Sequence, residues 1–138
     1  MKPITKAVTV PLLVLSLVGL SATAGFSGPR EDILSALKAE AGGAAFSAER
    51  GKSLFMGKHS GGKPDTPSCT TCHTNDPRKM GQTRVGKPID PMAVSVNPSR
   101  FTDTAFYEKW IRRNCNSVLG RECTALEKGD VLTWLSGI

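Results

Sequence analysis

Apolar and polar positions along the chain fall into four helical patterns separated by irregular stretches. Between Pro29 and Glu40, Ile33, Leu34 and Leu37 share one helical face, and Gly42-Gly43 stop the run. Ser47 suits an N-cap for a second helix, with Ala48, Leu54 and Phe55 among its apolar positions. Residues 57–68 are rich in Gly, Lys and Pro and read as loop. From Thr74 to Arg100 no period survives, because Pro77, Gly81, Gly86, Pro88, Pro91 and Pro98 keep breaking it. A structureless stretch of this length in a small domain needs something to wrap around. Regularity returns at Thr102-Asp103, a helix start. Phe106, Trp110 and Asn114 follow at i, i+4 and i+8 and are expected on one inward face. Thr124 and Glu127 form a capping box for a last helix through Leu135, with Leu126, Val131, Leu132 and Leu135 as apolar contacts. No strand alternation competes and there is no internal repeat, so the expected fold is all-α.

The start of the chain has a different character. Lys2 and Lys6 precede an apolar run from Val8 to Leu20, and Ser21-Ala22-Thr23-Ala24 follows with small residues where a signal peptidase reads. This is the pattern of a secretory signal, with cleavage expected after Ala24. The run is shorter than the roughly 20 residues of a spanning helix, and no second one follows. Residues 1–24 are therefore expected to be removed. Residues 25–138 are expected to form one soluble, periplasmic domain.

Charge changes the picture little. The chain has 18 Lys+Arg against 12 Asp+Glu; loss of Lys2 and Lys6 leaves 16 against 12, about +4. The surplus suits an acidic partner but has no basic run interleaved with aromatics, so a nucleic-acid function is excluded. Beyond the signal, large aliphatic residues are sparse while Gly and Pro are frequent. Such a chain gains from a staple, a metal or a large cofactor.

The cysteines say which. Cys69-Thr70-Thr71-Cys72-His73 is the C-x-x-C-H sequence that attaches c-type haem. Two thiols three positions apart reach the two vinyl groups, and the adjacent imidazole falls under the ring at the iron. A thioredoxin-like motif would need a βαβ setting, and a zinc site about four ligands; the surroundings offer neither. One covalent haem on Cys69 and Cys72, with His73 on its iron, is the expectation. In an oxidising compartment the remaining pair, Cys115 and Cys123, implies one disulfide, beginning one residue after Asn114.

The second axial ligand is open on residues alone. Met80 follows His73 by seven residues, too close to cross the ring easily; Met56 reads as core and His59 as a solvated loop residue. Met92, nineteen residues beyond His73, can reach if its loop is extended, and otherwise fills the pocket wall. Asn114 continues the Phe106–Trp110 face, and an amide aimed at an apolar pocket needs a partner. Its side-chain oxygen on the iron is one answer. A C-cap, where Asn is tolerated, is the other.

Three blocks, GGKPDTPSCTTCH (61–73), RFTD (100–103) and EKWIRRNCNSVLGREC (108–123), resemble the sphaeroides haem protein class of monohaem c-type cytochromes. The likeness runs from about Ala48 to Leu135. It implies a class I cytochrome c-like fold in which Asn114 is the second axial ligand beside the Cys115–Cys123 bridge. It further implies a high-spin iron, release of the asparagine on reduction, and binding of oxygen or nitric oxide. Electron donors of such proteins are a dihaem cytochrome c and a membrane b-type cytochrome.

Two functions follow as expectations. One is a redox-gated cytochrome that accepts electrons and binds, or even reduces, a diatomic molecule; an open coordination position does not by itself make an enzyme. The other is a plain electron carrier with a permanent His73/Met92 or His73/Asn114 pair. Trp110 is expected at the haem pocket. Arg84, Lys87, Arg112 and Arg113 are candidates for propionate or partner contacts, with ordinary surface charge as the default. The carbonyl of Pro88 or Pro91 is a candidate acceptor for the His73 ring N–H.

Overall fold

The computed structural model describes residues 28–138; the expected signal segment lies outside the described residues. Five helices and one short ladder follow in order. They are α1 (Pro29–Glu40), α2 (Ala48–Met56), α3 (Thr70–His73), β1 (Gly81–Gln82), β2 (Pro88–Ile89), α4 (Thr104–Leu119) and α5 (Ala125–Ser136). The fold is helical, as the periodicity implies. The two-residue ladder pairs Gly81 with Ile89 and Gln82 with Pro88, a pairing too short to leave an alternation in the sequence.

Local chemistry accounts for each helix. Pro29 pre-sets the first turn of α1, where Glu31 and Asp32 face the positive end of the helix dipole. Past its end, the Gly43 amide donates to the Lys38 carbonyl at 2.8 Å from a left-handed conformation. The Ser47 hydroxyl accepts from the Arg50 amide and opens α2. Asp103 does the same for Phe106 at the start of α4, and left-handed Gly120 ends that helix. Thr124 and Glu127 complete the capping box of α5.

The core forms around α5, which packs on both α1 and α2. Leu132 and Leu135 of α5 are fully buried. Leu132 joins Ile33, Leu37, Tyr107 and Ala125, while Leu135 joins Phe55, Val131 and Trp134. Contact between α2 and α5 is backbone-close: a Cβ on Gly51 would lie 2.0 Å from the Asp130 carbonyl oxygen, so only glycine fits. An ion pair locks the same crossing. Asp130 accepts from Arg50 Nε at 2.7 Å, Arg50 Nη2 at 2.9 Å and the Ser47 amide at 2.6 Å.

The stretch between α3 and α4 is irregular yet tied down. The amides of Met92 and Ala93 both donate to the Pro77 carbonyl, and Val94 and Ser95 donate to Leu135 and Ile138 at the end of α5. Gly81 lies so close to the Cys72 carbonyl that a Cβ would stand 2.1 Å from it.

The orientation of α4 departs from the expectation. Its buried residues are Tyr107, Cys115 and Val118, while Phe106 is 53% and Trp110 41% exposed. The inward face is shifted by one residue from the 106/110/114 row. Asn114 falls at its edge, three residues after the partly buried Ile111. Aromatic size misleads here, because burial follows what α1 and α5 present opposite and not the side chain's own hydrophobicity.

Candidate functional site

Cys72 and His73 of the C-x-x-C-H sequence sit on the single turn of α3, and Cys69 is its N-cap. Thr74 leaves that turn at φ 63°, ψ 169°, a backbone conformation rare for anything but glycine. Phe101, at φ 62°, is the other non-glycine residue with positive φ among the described residues. Phe101, and His73 just before Thr74, line one cavity of about 560 Å³, its open mouth included, within the size range of sites that take a sizeable organic group.

Its walls come from α2, α3, α4, α5 and the segments between them. Phe55, Phe101, Tyr107, Ile111, Leu132 and Leu135 make it apolar, and Cys69, His73, Met92 and Asn114 bring the polar and sulfur atoms. A smaller adjoining space, about 290 Å³, shares Cys69, His73 and Asn114 and adds Cys72, Thr66 and Ser117. The structure thus brings together both motif cysteines, His73 and Asn114, residues up to 45 positions apart in the chain.

Within this space His73 is under unusual conditions. Burial and the nearby Arg100 cation push its pKa down to about 4, so the imidazole is neutral, the form that ligates a metal. Its Nδ1 is buried without a hydrogen-bond partner, a costly state for an acceptor or donor left alone. Neither proline carbonyl relieves it; that of Pro91 is taken by the Asn97 side chain at 3.1 Å. Burial also pushes the Cys69 thiol up to about 11. The two thiols of Cys69 and Cys72 are free.

Asn114 is not a helix cap. The helix continues five residues beyond it to Leu119, and Gly120 provides the C-cap. Two residues on, Asn116 turns its amide back onto the Arg112 carbonyl at 3.0 Å, whereas Asn114 borders the cavity. The Cys115–Cys123 disulfide is formed, with Cα atoms 5.6 Å apart, and both half-cystines line the same cavity.

The other candidates separate cleanly. Met92 lines the cavity, but its sulfur accepts from Arg100 Nη2 at 2.7 Å. Met80 is exposed, Met56 packs against the Phe55 cluster, and His59 bonds the Leu54 carbonyl at 2.9 Å. Trp110 borders neither space; Lys109 and Arg113 lie over its ring instead. Arg84 is paired with Asp65. Sequence reading passed over Arg100 and the Thr66–Ser117 hydroxyl pair, joined at 2.9 Å. Their only signal was membership of blocks 61–73, 100–103 and 108–123.

A family profile described as Domain of unknown function (DUF1924) matches residues 41–135. Cytochrome c-type protein SHP of Cereibacter sphaeroides is 51% identical over 125 residues, covering 91% of this chain and 95% of the relative. The chain belongs to the SHP-like monohaem c-type cytochromes. The solved structure of oxidised SHP, an oxygen-binding cytochrome c, superposes with a TM-score of 0.77 at 53% identity, covering 81% of this chain and 99% of that one. Oxidised cytochrome c'' from Methylophilus methylotrophus superposes with a TM-score of 0.61 at 31% identity, covering 78% and 92%.

Membership among SHP-like cytochromes implies a covalently attached haem, and the residues present fit one. The thiols of Cys69 and Cys72 stand one helical turn apart beside an apolar cavity. A neutral histidine with an orphaned ring nitrogen adjoins them.

Proposed function

We propose that this protein is an exported, periplasmic cytochrome that accepts electrons from a partner cytochrome and binds oxygen or nitric oxide when reduced. Residues 1–24 are its secretory signal, and residues 25–138 its functional domain. One haem would be held through Cys69 and Cys72, with His73 and Asn114 as the residues that would bind its iron. By resemblance, the donors are a dihaem cytochrome c and a membrane b-type cytochrome. Oxygen as a ligand draws support from the solved SHP structure, an oxygen-binding cytochrome.

The position of Asn114 carries the reading. It lies inside α4, at the edge of the cavity that also holds His73, with the capping role taken by Gly120. When bound, the haem supplies a one-electron couple and an axial position that a small ligand can take. Asn114 offers a hard, neutral, weak oxygen donor, suited to ferric iron and poorly suited to ferrous. With haem bound, Asn114 would therefore be held only weakly in the reduced state. His73 stays in place, its ring braced by Phe55 at 5.9 Å between centroids. The disulfide holds the backbone immediately after Asn114.

Met92 lines the cavity and so supports a second reading, a plain electron carrier with a permanent His73/Met92 pair, or an unreleased His73/Asn114 pair. In the chain alone, its sulfur accepts from Arg100 Nη2. Visible spectra of the purified haem protein, oxidised, reduced, and reduced with carbon monoxide, separate the two readings. A high-spin reduced spectrum that changes promptly with carbon monoxide is expected. A sharp low-spin reduced spectrum unmoved by carbon monoxide would establish the plain carrier instead.

A further inference from the structure

Most arginines of the described chain have an evident partner. Arg50, Arg78, Arg84 and Arg121 sit on carboxylates, Arg30 on the carbonyls of Pro98 and Arg100, and Arg113 over the Trp110 ring. Arg100 differs. Its guanidinium is drawn half-way into the protein, where desolvation acts against its charge. Among the described residues, no carboxylate lies within ion-pair distance of it. Asp90 acts on it only from farther off.

What Arg100 touches belongs to the cavity. Its Nη2 donates to the Met92 sulfur, and its guanidinium carbon lies 5.9 Å from the centre of the Phe101 ring. Both are wall residues. Arg100 itself lies just behind this wall, next to Phe101 in the chain and in contact with Met92. The backbone is held for the purpose: Arg30 donates to the Arg100 carbonyl through Nε at 3.3 Å and Nη2 at 2.8 Å, and the Arg100 amide donates to Asn97.

A thioether is a weak acceptor, and a half-buried cation answered only by a thioether is under-compensated. The guanidinium fork matches a carboxylate with two parallel N–H donors. We propose that Arg100 binds a propionate carboxylate of the haem, giving up its contact with Met92 to do so. This rests on the haem reading above. It makes Arg100 a cofactor-binding residue beyond the candidates Arg84, Lys87, Arg112 and Arg113. It also releases the Met92 sulfur, so the spectra above decide between Met92 and Asn114, and it would set a fixed positive charge beside the haem that favours the reduced state.

The test uses the full-length chain matured with haem, as wild type, Arg100→Gln and Arg100→Lys. Pyridine haemochrome assay of wild type comes first, and absence of covalent haem there would sink the underlying reading and not this one alone. With haem present, Arg100→Gln should shift the propionate bending band in the resonance Raman spectrum and lower the midpoint potential at unchanged haem content. Arg100→Lys, which keeps the charge and loses the fork, should restore most of the potential while the band stays displaced. A haem-replete Arg100→Gln protein with both readouts unmoved overturns the assignment. If that variant fails to mature, Arg100→Lys decides alone, and an unshifted band in it counts against the proposal. Acetate titration distinguishes a free anion: a saturable spectral change in wild type that Arg100→Gln lacks would put an external carboxylate on Arg100 and also overturn the assignment.

Discussion

Asn114 and Met92 both border the cavity, and their donor atoms make opposite demands on an iron. An amide oxygen is hard and weakly bound, whereas a thioether is soft and prefers the ferrous state. Asn114→Met should convert a labile position into a firm one, giving a low-spin reduced spectrum and a markedly slower response to carbon monoxide in stopped flow. Asn114→Ala should leave the position open in both oxidation states. Met92→Leu, close to isosteric, should cost less than about 1.5 kcal/mol of stability and leave the axial spectrum of the native protein unchanged. If Met92→Leu instead changes the reduced spectrum, the thioether is the ligand. The orphaned Nδ1 of His73 belongs to this scale too: an unpartnered ring nitrogen in an apolar wall makes sense where the imidazole serves something outside the protein chain.

At the scale of elements, α5 organises the molecule, and its N-terminus shows how a local motif acquires extra duty. Glu127 closes the capping box with Thr124 and also accepts both terminal nitrogens of Arg121, at 2.8 and 2.7 Å. The Arg121 hydrogen bond, more than any other influence, holds its carboxyl down to about 2, against an ordinary value of 4.5. A depressed carboxylate stabilises the folded state above the ordinary value, and that contribution fades as pH falls from about 4.5 towards 2. Glutamine can still close a capping box, so Glu127→Gln isolates the charge. It should cost about 0.5–1 kcal/mol near neutrality, a surface-pair magnitude, and urea melts should show the difference from wild type vanishing across that acid window. A difference that persists at pH 2 would point to the cap alone. On α4 the Cys115–Cys123 bridge acts as a second device, constraining the unfolded chain by about 2–3 kcal/mol on the chain-entropy account.

For the whole molecule, the proposed export and single haem make one joint prediction. Intact-mass measurement of the exported protein should give a chain beginning at Gly25, heavier by one haem, with one disulfide. A retained N-terminus or a second haem would contradict it. How much of this was legible beforehand divides along a physical line. Helix positions were readable because caps, stops and heptad-like spacing act over a few residues: Ser47, Gly42-Gly43 and the Thr124–Glu127 box all sit where expected. The Cys115–Cys123 pairing was readable because four cysteines with two assigned to the motif leave one choice. The sequence by itself determined four of the five helices, the attachment motif and the family, all carried by short-range spacing. Tertiary structure alone decided which face of α4 turns inward, leaving Trp110 outside and Asn114 at the cavity edge. It alone set Arg100 against the wall residue Met92 and left His73 Nδ1 without a partner. Those outcomes depend on what α1, α5 and the 74–100 segment present across the gap, and no spacing within α4 or α3 encodes that.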